Sequence, residues 1–218
     1  MMSEVDAVIE AGDSIGGSFV VVVEGMPIGV GSNAEWDSRL DTALAAATMG
    51  IQAVKGVGIG LGFGVLARRG SAVHDEVDPA RASWGRRSNR AGGVEGGMSN
   101  GEPIVVRVAV KPVATLRKPL DSIDLATGKP GRAHIERSDV AILPRAAIVG
   151  EAMVSLVLAD ELLATFGGDT MGDVLAGVRR RRARSRGPRG GVVSEASAPA
   201  SLPEDAAAEA TPVAGADA

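Results

Sequence analysis

Two apolar runs in the sequence have the length and residue types of β-strands. Residues 18–24 read SFVVVVE, and residues 104–113 place Ile104, Val106 and Val108 on one side of an extended chain. β-Branched residues favour extended backbone, and alternate residues of a strand point to opposite faces of a sheet. We therefore predict one strand in each segment.

Apolar residues at helical spacing predict two long helices. In residues 36–55 they recur every three or four positions, and Asp37 is placed to cap the start. A second helix is predicted from Pro144, a residue that suits a first helical turn, to Phe166. Gly167 follows, and glycine favours a helix end.

The connections between these elements are rich in glycine and polar residues. Residues 67–101 form the longest, and such a connection in a compact domain is usually functional or flexible. The run GVGIGLGFG at 56–64 lacks the dinucleotide-binding spacing because Leu61 occupies the last glycine position, so we predict a loop or a tight strand. A short helical segment is expected in residues 1–12 and a polar connection with a turn at 116–133.

Strands interspersed with long helices are typical of α/β or α+β layers. We predict an ordered domain over residues 1–178. From Arg179 onward the chain is first arginine-rich and then rich in Ala, Pro and Glu. Residues 179–218 are therefore expected to form a disordered tail, because such a composition buries little apolar surface.

Composition removes several classes of site and partner. The 218 residues include no cysteine and two histidines, which excludes disulfides, thiolate metal sites and histidine metal cages. The aromatic content of 2% and net charge of −4 argue against nucleic acid as a partner. No apolar segment is long and uncharged enough to cross a membrane, and the acidic N-terminus lacks a signal-peptide pattern. We expect a cytoplasmic protein with no membrane partner.

A basic segment beside a glycine cluster is the first candidate for ligand binding. Arg86, Arg87, Asn89 and Arg90 precede the glycines of residues 92–101. Guanidinium groups and open backbone N–H groups together form an anion-binding concavity. The alternative is a flexible, solvated loop.

Other polar residues are candidates for phosphate binding and proton transfer. Lys111 follows a predicted strand, Arg137 could bind phosphate, and Asp139 could move a proton. Ser138 and Asp139 could equally cap the helix that follows. His74 is either a general acid or base or a solvated loop residue.

Several motifs occur in an order that is specific to one enzyme family. They are GDSIGG (12–17), RLDTALAAATMGIQAVKGV (39–57), GSAVHDE (70–76), SNRAGGVEGGMSNGEPIVVRVAVKP (88–112), RSDV (137–140) and FGGDT (166–170). In this order they resemble the C-terminal half of the chorismate synthase family.

The resemblance implies a fold and a reaction. The fold would be α+β, a β-α-β sandwich built as an internal duplication of which this chain is about one half, assembled as a homotetramer. The reaction would be the 1,4-anti elimination of phosphate from 5-enolpyruvylshikimate-3-phosphate to give chorismate. It would require reduced FMN, with NADPH as a candidate reductant, and no net redox change.

The resemblance also assigns site residues by motif position, and composition leads us to expect no metal among them. Asp139 would assist proton removal near the flavin. The residues that it places at the flavin are Gln52, Ala53, Asn89, Arg90, Gly96, Lys111, Pro112, Val113, Ala114, Thr115 and Arg137.

Departures from the family leave alternatives open. The GESHG and GHAD motifs of the family's N-terminal half, which provide proton-transferring histidines, have no match here. Gly58 and Leu61 stand where the family usually has acids, and Arg145 replaces a small residue. We predict a chorismate synthase chain that is inactive alone and needs the N-terminal half or full-length subunits as partners. The alternatives are a non-catalytic flavin-binding or structural remnant, and a protein that binds nucleic acid through its arginine block.

Overall fold

The computed structural model describes residues 2–136 and 139–185. Its main sheet has three antiparallel strands, in the order β1 (Gly17–Val23), β5 (Ile104–Val110) and β2 (Val54–Ile59). The other strands form two short hairpins, β3 (Val94–Glu95) with β4 (Met98–Ser99), and β6 (Asp121–Ile123) with β7 (Pro130–Arg132). The helices are α1 (Met2–Glu10), α2 (Leu40–Met49), α3 (Leu143–Phe166) and α4 (Met171–Ser185). The mixture of helices and a mainly antiparallel sheet confirms the α+β class.

Strand β5 is the centre of the sheet. Gly17 of β1 and Val54 of β2 both pair with Val110, while Val23 of β1 pairs with Ile104. β5 has a partner strand on each edge, and five of its seven residues are buried, while Arg107 is half-buried and Ala109 is exposed on the other face of the sheet. The strand ends before the predicted residue 113, because Pro112 has no N–H to donate to a neighbouring strand.

Helices α2 and α3 cover one face of the sheet and form the core with it. Gly150 of α3 lies directly on the ring of Phe19, where a side chain would overlap the ring. The absence of a side chain at this position therefore lets α3 lie close to β1. The largest fully buried side chains are Leu40, Leu44, Ile104, Val30, Val106, Val108, Val154 and Thr48.

Helix α2 is shorter at both ends than the predicted span 36–55. It starts at Leu40, and its N-cap residue, Arg39, makes no side-chain capping bond, so the predicted cap at Asp37 is wrong. It ends at Met49, with Gly50 as its C-cap residue, and the chain then turns through Ala53, whose φ is 70°. The residues from Val54 onward form a strand because they pair with β5. Tertiary contacts of this kind commonly override a local preference for helix.

Helix α3 matches its prediction closely. It starts with Pro144 in its first turn and ends at Phe166, where Gly167 adopts a φ of 60°. Its N-cap residue is Ile142, without a side-chain capping bond. The interpretation of Asp139 as the helix cap is therefore wrong.

Helix α4 continues past the predicted domain boundary at residue 178. Residues 179–185 are helical, and Arg181 donates to the carbonyl oxygens of Ile28 (3.1 Å) and Gly29 (3.0 Å). Arg182 donates to the carbonyl of Gly25 at 2.7 Å, and the Arg181 guanidinium lies 5.5 Å from the ring centre of Phe166. Residues 179–185 therefore belong to this helix and not to the predicted tail. Residues 186–218 lie outside the described part of the chain.

The long connection 67–101 is built from short turns rather than open coil. It contains 3₁₀ turns at Gly70–Ala72 and Ala82–Trp84 and then the β3–β4 hairpin. The run at 56–64 forms most of β2 and continues into a 3₁₀ turn at Gly62–Ala67. No helix among the described residues is long and apolar enough to cross a membrane.

Candidate functional site

The sequence-predicted site residues lie at the two ends of the main sheet. The Val110 end comprises residues 12–17, 52–54, 110–118 and 139–145. The Ile104 end comprises residues 25–31, 59–61 and 75–104. A seven-residue strand rises about 3.3 Å per residue, so the two ends are about 20 Å apart.

At the Val110 end, two predicted flavin-binding segments lie side by side. The backbone N–H of Lys111 donates to the carbonyl of Ala53 at 2.9 Å. The bond brings the turn containing Gln52 and Ala53 against the start of residues 111–115. Gln52 and Lys111 are exposed, and no hydrogen bond or ion pair within the described chain involves the Lys111 ammonium.

The segment 111–115 is fixed from its other side by the turn after α1. The Ser14 hydroxyl donates to the carbonyl of Val113 at 2.6 Å. A side chain at Gly16 would overlap the backbone of Val110 and lie 2.9 Å from Pro112. These close backbone contacts hold residues 111–115 at the surface of this end. Pro112 and Ala114, which are small or apolar, are exposed there.

Asp139 belongs to the same end of the sheet. The carbonyl of the next residue, Val140, accepts a hydrogen bond from Ile15 at 3.0 Å, and Leu143 packs against Gly17. The Asp139 Oδ2 atom forms an ion pair with Arg145. Arg137, the neighbouring predicted flavin residue, lies outside the described residues.

At the Ile104 end, Asn89 is a structural residue as well as a predicted flavin residue. Its side chain is buried; its amide nitrogen donates to the carbonyl of Pro103 at 2.8 Å and its Oδ1 accepts from the N–H of Gly93 at 2.8 Å. These bonds tie the start of the glycine cluster to the start of β5. Asn89 therefore holds the segment that presents its neighbour, Arg90.

The backbone of Arg90 is fixed on both sides while its guanidinium is left open. Its N–H donates to Asp75 at 2.9 Å, and its carbonyl accepts from Leu61 at 2.9 Å. Within residues 2–136 and 139–185, no hydrogen bond or ion pair involves its guanidinium. Arg90 is thus a cation available to a ligand.

The other arginines of the predicted anion-binding group are neutralised within the chain. Arg86 bonds to Glu95 at 2.7 Å, and Arg87 bonds to Glu76 at 2.9 Å. The predicted concavity of four polar residues is therefore reduced to Arg90 and the neighbouring glycines. Gly96 lies at an exposed hairpin turn with open space where a side chain would be.

Two carboxylates that the sequence analysis did not single out individually organise this end. Asp75 accepts hydrogen bonds from the Ser88 hydroxyl (2.5 Å) and the N–H groups of Arg90 and Ala91 (2.9 and 2.8 Å). Glu102, with a side chain only 6% exposed, accepts from the N–H of Arg86 at 2.6 Å. Asp75 is part of the HDE motif that the sequence analysis noted. Its role could not be predicted, because it depends on contacts with residues more than ten positions away.

Two glycines allow the Ile104 end to close tightly. Gly60 and Gly92 have φ values of 61° and 65°, and a side chain on either would overlap the backbone of the other segment. Nearby, the Arg39 guanidinium hydrogen-bonds to Asp41 and holds the pKa of that carboxyl below its usual range. The Ile104 end is therefore a closely packed, charge-paired structure.

A shallow groove of about 270 Å³ crosses the open face of the sheet between the two ends. Val20, Gly56, Gly58 and Phe63 are among the residues that line it. Arg107, at its centre, donates to the carbonyl of Gly60 at 2.6 Å. No group of acidic or histidine side chains among the described residues is arranged to hold a metal ion, and His74 is an exposed loop residue.

Comparison with known proteins places the chain in one family. The family model for chorismate synthase matches residues 1–163. The chorismate synthase of Thermobifida fusca is 54% identical over 179 residues, which are 82% of this chain and 46% of the relative. The chorismate synthase of Desulforamulus reducens is 53% identical over 81% of this chain and 46% of the relative.

A solved structure gives the same result. A crystal structure of chorismate synthase aligns with 85% of this chain and 48% of the solved chain, at a TM-score of 0.71 and 41% identity. The chain belongs to the chorismate synthase family, and it spans about half the length of the curated relatives that it matches. The family resemblance and the predicted fold class are both confirmed.

Proposed function

We propose that this chain is the C-terminal portion of a chorismate synthase and supplies part of its reduced-FMN site. The reaction would be the 1,4-anti elimination of phosphate from 5-enolpyruvylshikimate-3-phosphate to give chorismate. The main supporting observation is that three segments far apart in sequence, 52–53, 111–115 and 139, converge at the Val110 end. All three carry residues that the family motifs assign to the flavin.

The residues at the Val110 end fit a flavin phosphate and ring by their chemistry. Lys111 offers an anionic group a cation that has no partner in residues 2–136 and 139–185. Ala53, Pro112 and Ala114 are small or flat and leave room for an aromatic ring system. We assign the cofactor contacts of this end to Gln52, Ala53, residues 111–115 and the neighbouring Arg137.

The chemical roles follow from charge. Reduced FMN, when bound, would supply electron density to the elimination. Lys111 would balance negative charge on the bound flavin, an effect that grows when water is excluded. The Asp139 Oδ1 atom is not part of the ion pair with Arg145, so it is available to accept a proton or a hydrogen bond.

Helix α3 offers an apolar surface against which the rest of a full-length relative could pack. One side faces the sheet, while Ile148, Leu156 and Leu163 on the other side are 68%, 66% and 53% exposed. A helix that is apolar on both sides is normally buried on both. We therefore propose that the portion of the family absent from this chain covers α3. The homotetramer, NADPH as reductant and cytoplasmic location remain predictions.

The test is reconstitution with the missing portion. This chain would be co-expressed with the part of the Thermobifida fusca relative that it does not cover, and the purified complex assayed anaerobically with reduced FMN for phosphate and chorismate. We expect turnover that falls at least tenfold in Lys111→Ala. Lys129→Ala, in the β6–β7 hairpin, is the matched control and should retain full activity.

The second candidate function is a non-catalytic flavin-binding subunit, favoured by Gly58 and Leu61 in place of acids and by Arg145 beside Asp139. A stable complex that binds FMN but gives no turnover would support it. A complex that neither binds FMN nor turns over substrate would contradict both functions.

A further inference from the structure

The arginine-rich end of helix α4 reaches back to the Ile104 end of the sheet. Arg181 donates to the carbonyl oxygens of Ile28 (3.1 Å) and Gly29 (3.0 Å). Both acceptors belong to the 25–31 segment, which is far from α4 in the sequence. Hydrogen bonds from a charged donor are stronger than those between neutral groups, so a cation of α4 holds this segment in place.

The structure is fitted around the Arg181 side chain. Its guanidinium lies 5.5 Å from the centre of the Phe166 ring, and the residue is half-buried. Gly29 has a φ of 80°, and a side chain at that position would overlap the guanidinium. Arg182 adds one bond, to the carbonyl of Gly25 at 2.7 Å, but it is exposed. Arg181 therefore makes the more buried of the two contacts.

The 25–31 segment is joined to strand β4 through Ser99. The N–H of Gly29 donates to the carbonyl of Ser99 at 2.8 Å, and the N–H of Ser99 donates to the carbonyl of Val30 at 2.9 Å. The buried Ser99 hydroxyl donates to the carbonyl of Pro27 at 2.6 Å and accepts from the N–H of Val30 at 2.9 Å. Four hydrogen bonds thus join one residue of β4 to the segment that α4 holds.

Strand β4 returns from the exposed turn that contains Gly96. The residues before this hairpin are fixed by Asn89, whose Oδ1 accepts from the N–H of Gly93 at 2.8 Å. The turn itself is held by a bond from the N–H of Leu40 to the carbonyl of Gly97 at 2.8 Å. The return strand has its support in the segment that α4 holds. The position of the turn therefore depends partly on α4.

We infer that Arg181 is a positioning residue of the candidate flavin site, because it fixes, through Ser99, the strand that returns from the Gly96 turn. The inference rests on the proposed function, since the Gly96 turn serves a flavin only if the Ile104 end contacts one. Helix α4 lies outside residues 1–163, which the family model matches, so the match itself assigns α4 no part in the site.

Hydrogen exchange of the full chain without FMN tests the positioning. Arg181→Met keeps an unbranched side chain that suits a helix but removes the donors. The amides of Gly29 and Ser99 should then exchange about tenfold faster or more, whereas the amide of Gly93 should change little. Arg184→Met is the matched control, because it removes an exposed arginine from the same helix, and it should leave all three amides unchanged.

The amides of β5 separate a local effect from a loss of overall stability. Exchange in this central strand reports global unfolding, so it should accelerate less than exchange at Gly29 and Ser99. An equal acceleration throughout β5 would overturn the inference, because Arg181 would then act only on overall stability. Unchanged exchange at Gly29 and Ser99 in Arg181→Met would overturn it as well.

FMN binding by the complex with the missing portion of the relative gives a second readout. Arg181→Met should weaken FMN binding about fivefold or more, and Arg184→Met should bind FMN as the wild-type chain does. Equal FMN affinity in Arg181→Met and the wild type would overturn the role of Arg181 in the site. A wild-type complex that binds no FMN would contradict the proposed function, and with it the flavin role of Arg181. The exchange experiment would still show whether Arg181 fixes β4.

Discussion

The two ends of the sheet are stabilised in different ways. At the Ile104 end, Asp75 and Glu102 accept backbone N–H groups, and Gly60 and Gly92 let two segments of the chain pack with their backbones in contact. At the Val110 end, the segments are joined by a few bonds, such as Lys111 to Ala53, and Asp139 is paired with an arginine at the surface. One end is a preformed loop that presents a cation. The other is an open surface on which Gln52, Lys111 and Asp139 are exposed.

The difference matters because burial sets the strength of polar interactions. Carboxylates that accept backbone N–H groups in a partly buried site make strong hydrogen bonds, whereas exposed ion pairs contribute little. Substitutions at the Ile104 end should therefore lower the stability of the chain, and its backbone should show little local motion. The Val110 end should tolerate substitution in the chain alone and respond mainly when ligand or partner is present.

The largest effect is expected from Gly60→Ala. The new side chain would overlap the backbone of Arg90 and Gly92, and φ at this residue is 61°. We expect a loss of about 3 kcal/mol or more in the free energy of unfolding, measured by urea denaturation. Gly62→Ala is the matched control, with a φ of 55° and open space around it, and should cost about 1 kcal/mol. Equal losses would show that the interlocked glycines are unimportant.

Replacing the buried carboxylate of Glu102 should show how strongly the Ile104 end depends on its internal hydrogen bonds. Glu102→Gln leaves Arg81 without its carboxylate partner and weakens the bond from the Arg86 N–H, so we expect a loss of about 2 kcal/mol. The control, Glu76→Gln, breaks an ion pair with a 74% exposed glutamate and should change stability by less than about 0.5 kcal/mol. Similar losses in both variants, again from urea denaturation, would contradict the account of this end.

Asp75→Asn should loosen the loop that presents Arg90. Loss of the charged acceptor weakens the bonds to two backbone N–H groups by about 1–2 kcal/mol, so amide exchange at Arg90 and Ala91 should accelerate about tenfold or more. Hydrogen exchange by mass spectrometry or NMR measures the change. Asp78→Asn, which alters only a local turn to Ala80, should leave these amides unaffected. If amide exchange at Arg90 and Ala91 is unchanged in Asp75→Asn, Asp75 does not fix this loop.

At the Val110 end, Arg145→Ala should have little effect on stability. The Arg145 and Asp139 side chains are 79% and 47% exposed, so breaking their ion pair should cost less than about 0.5 kcal/mol. Thermal and urea denaturation of the variant should overlay those of the wild-type chain. A loss as large as that expected for Glu102→Gln would show that this end is as tightly built as the other.

The smallest effect concerns a single carboxyl on α3. Burial and, to a lesser extent, the neighbouring Asp160 raise the pKa of Glu161. Since the folded state then holds this proton more tightly than the unfolded state, stability should fall as the pH rises through the raised pKa. Glu161→Gln should therefore raise the melting temperature slightly at neutral pH, and the gain should shrink as the pH is lowered. A gain that is constant with pH would point to a different cause.

The sequence predicted those elements whose signals are local. Pro144 and Gly167 mark the ends of α3, and the valine-rich runs mark β1 and β5. The end of α2 could not be predicted, because residues 54–55 join a strand only through pairing with β5. The family motifs named candidate site residues, but nothing local showed that Arg86 and Arg87 would be neutralised by distant glutamates. The division of the candidate site between two ends likewise depends on how the chain folds.

The most direct test of the central claim is to locate FMN on the chain. Hydrogen exchange would be compared with and without FMN in the complex with the missing portion of the relative. The account predicts slower exchange at residues 52–54 and 111–115, together with residues 89–97, and no change in the β6–β7 hairpin. FMN that binds the complex without protecting residues 111–115 would contradict the assignment of the flavin to the Val110 end.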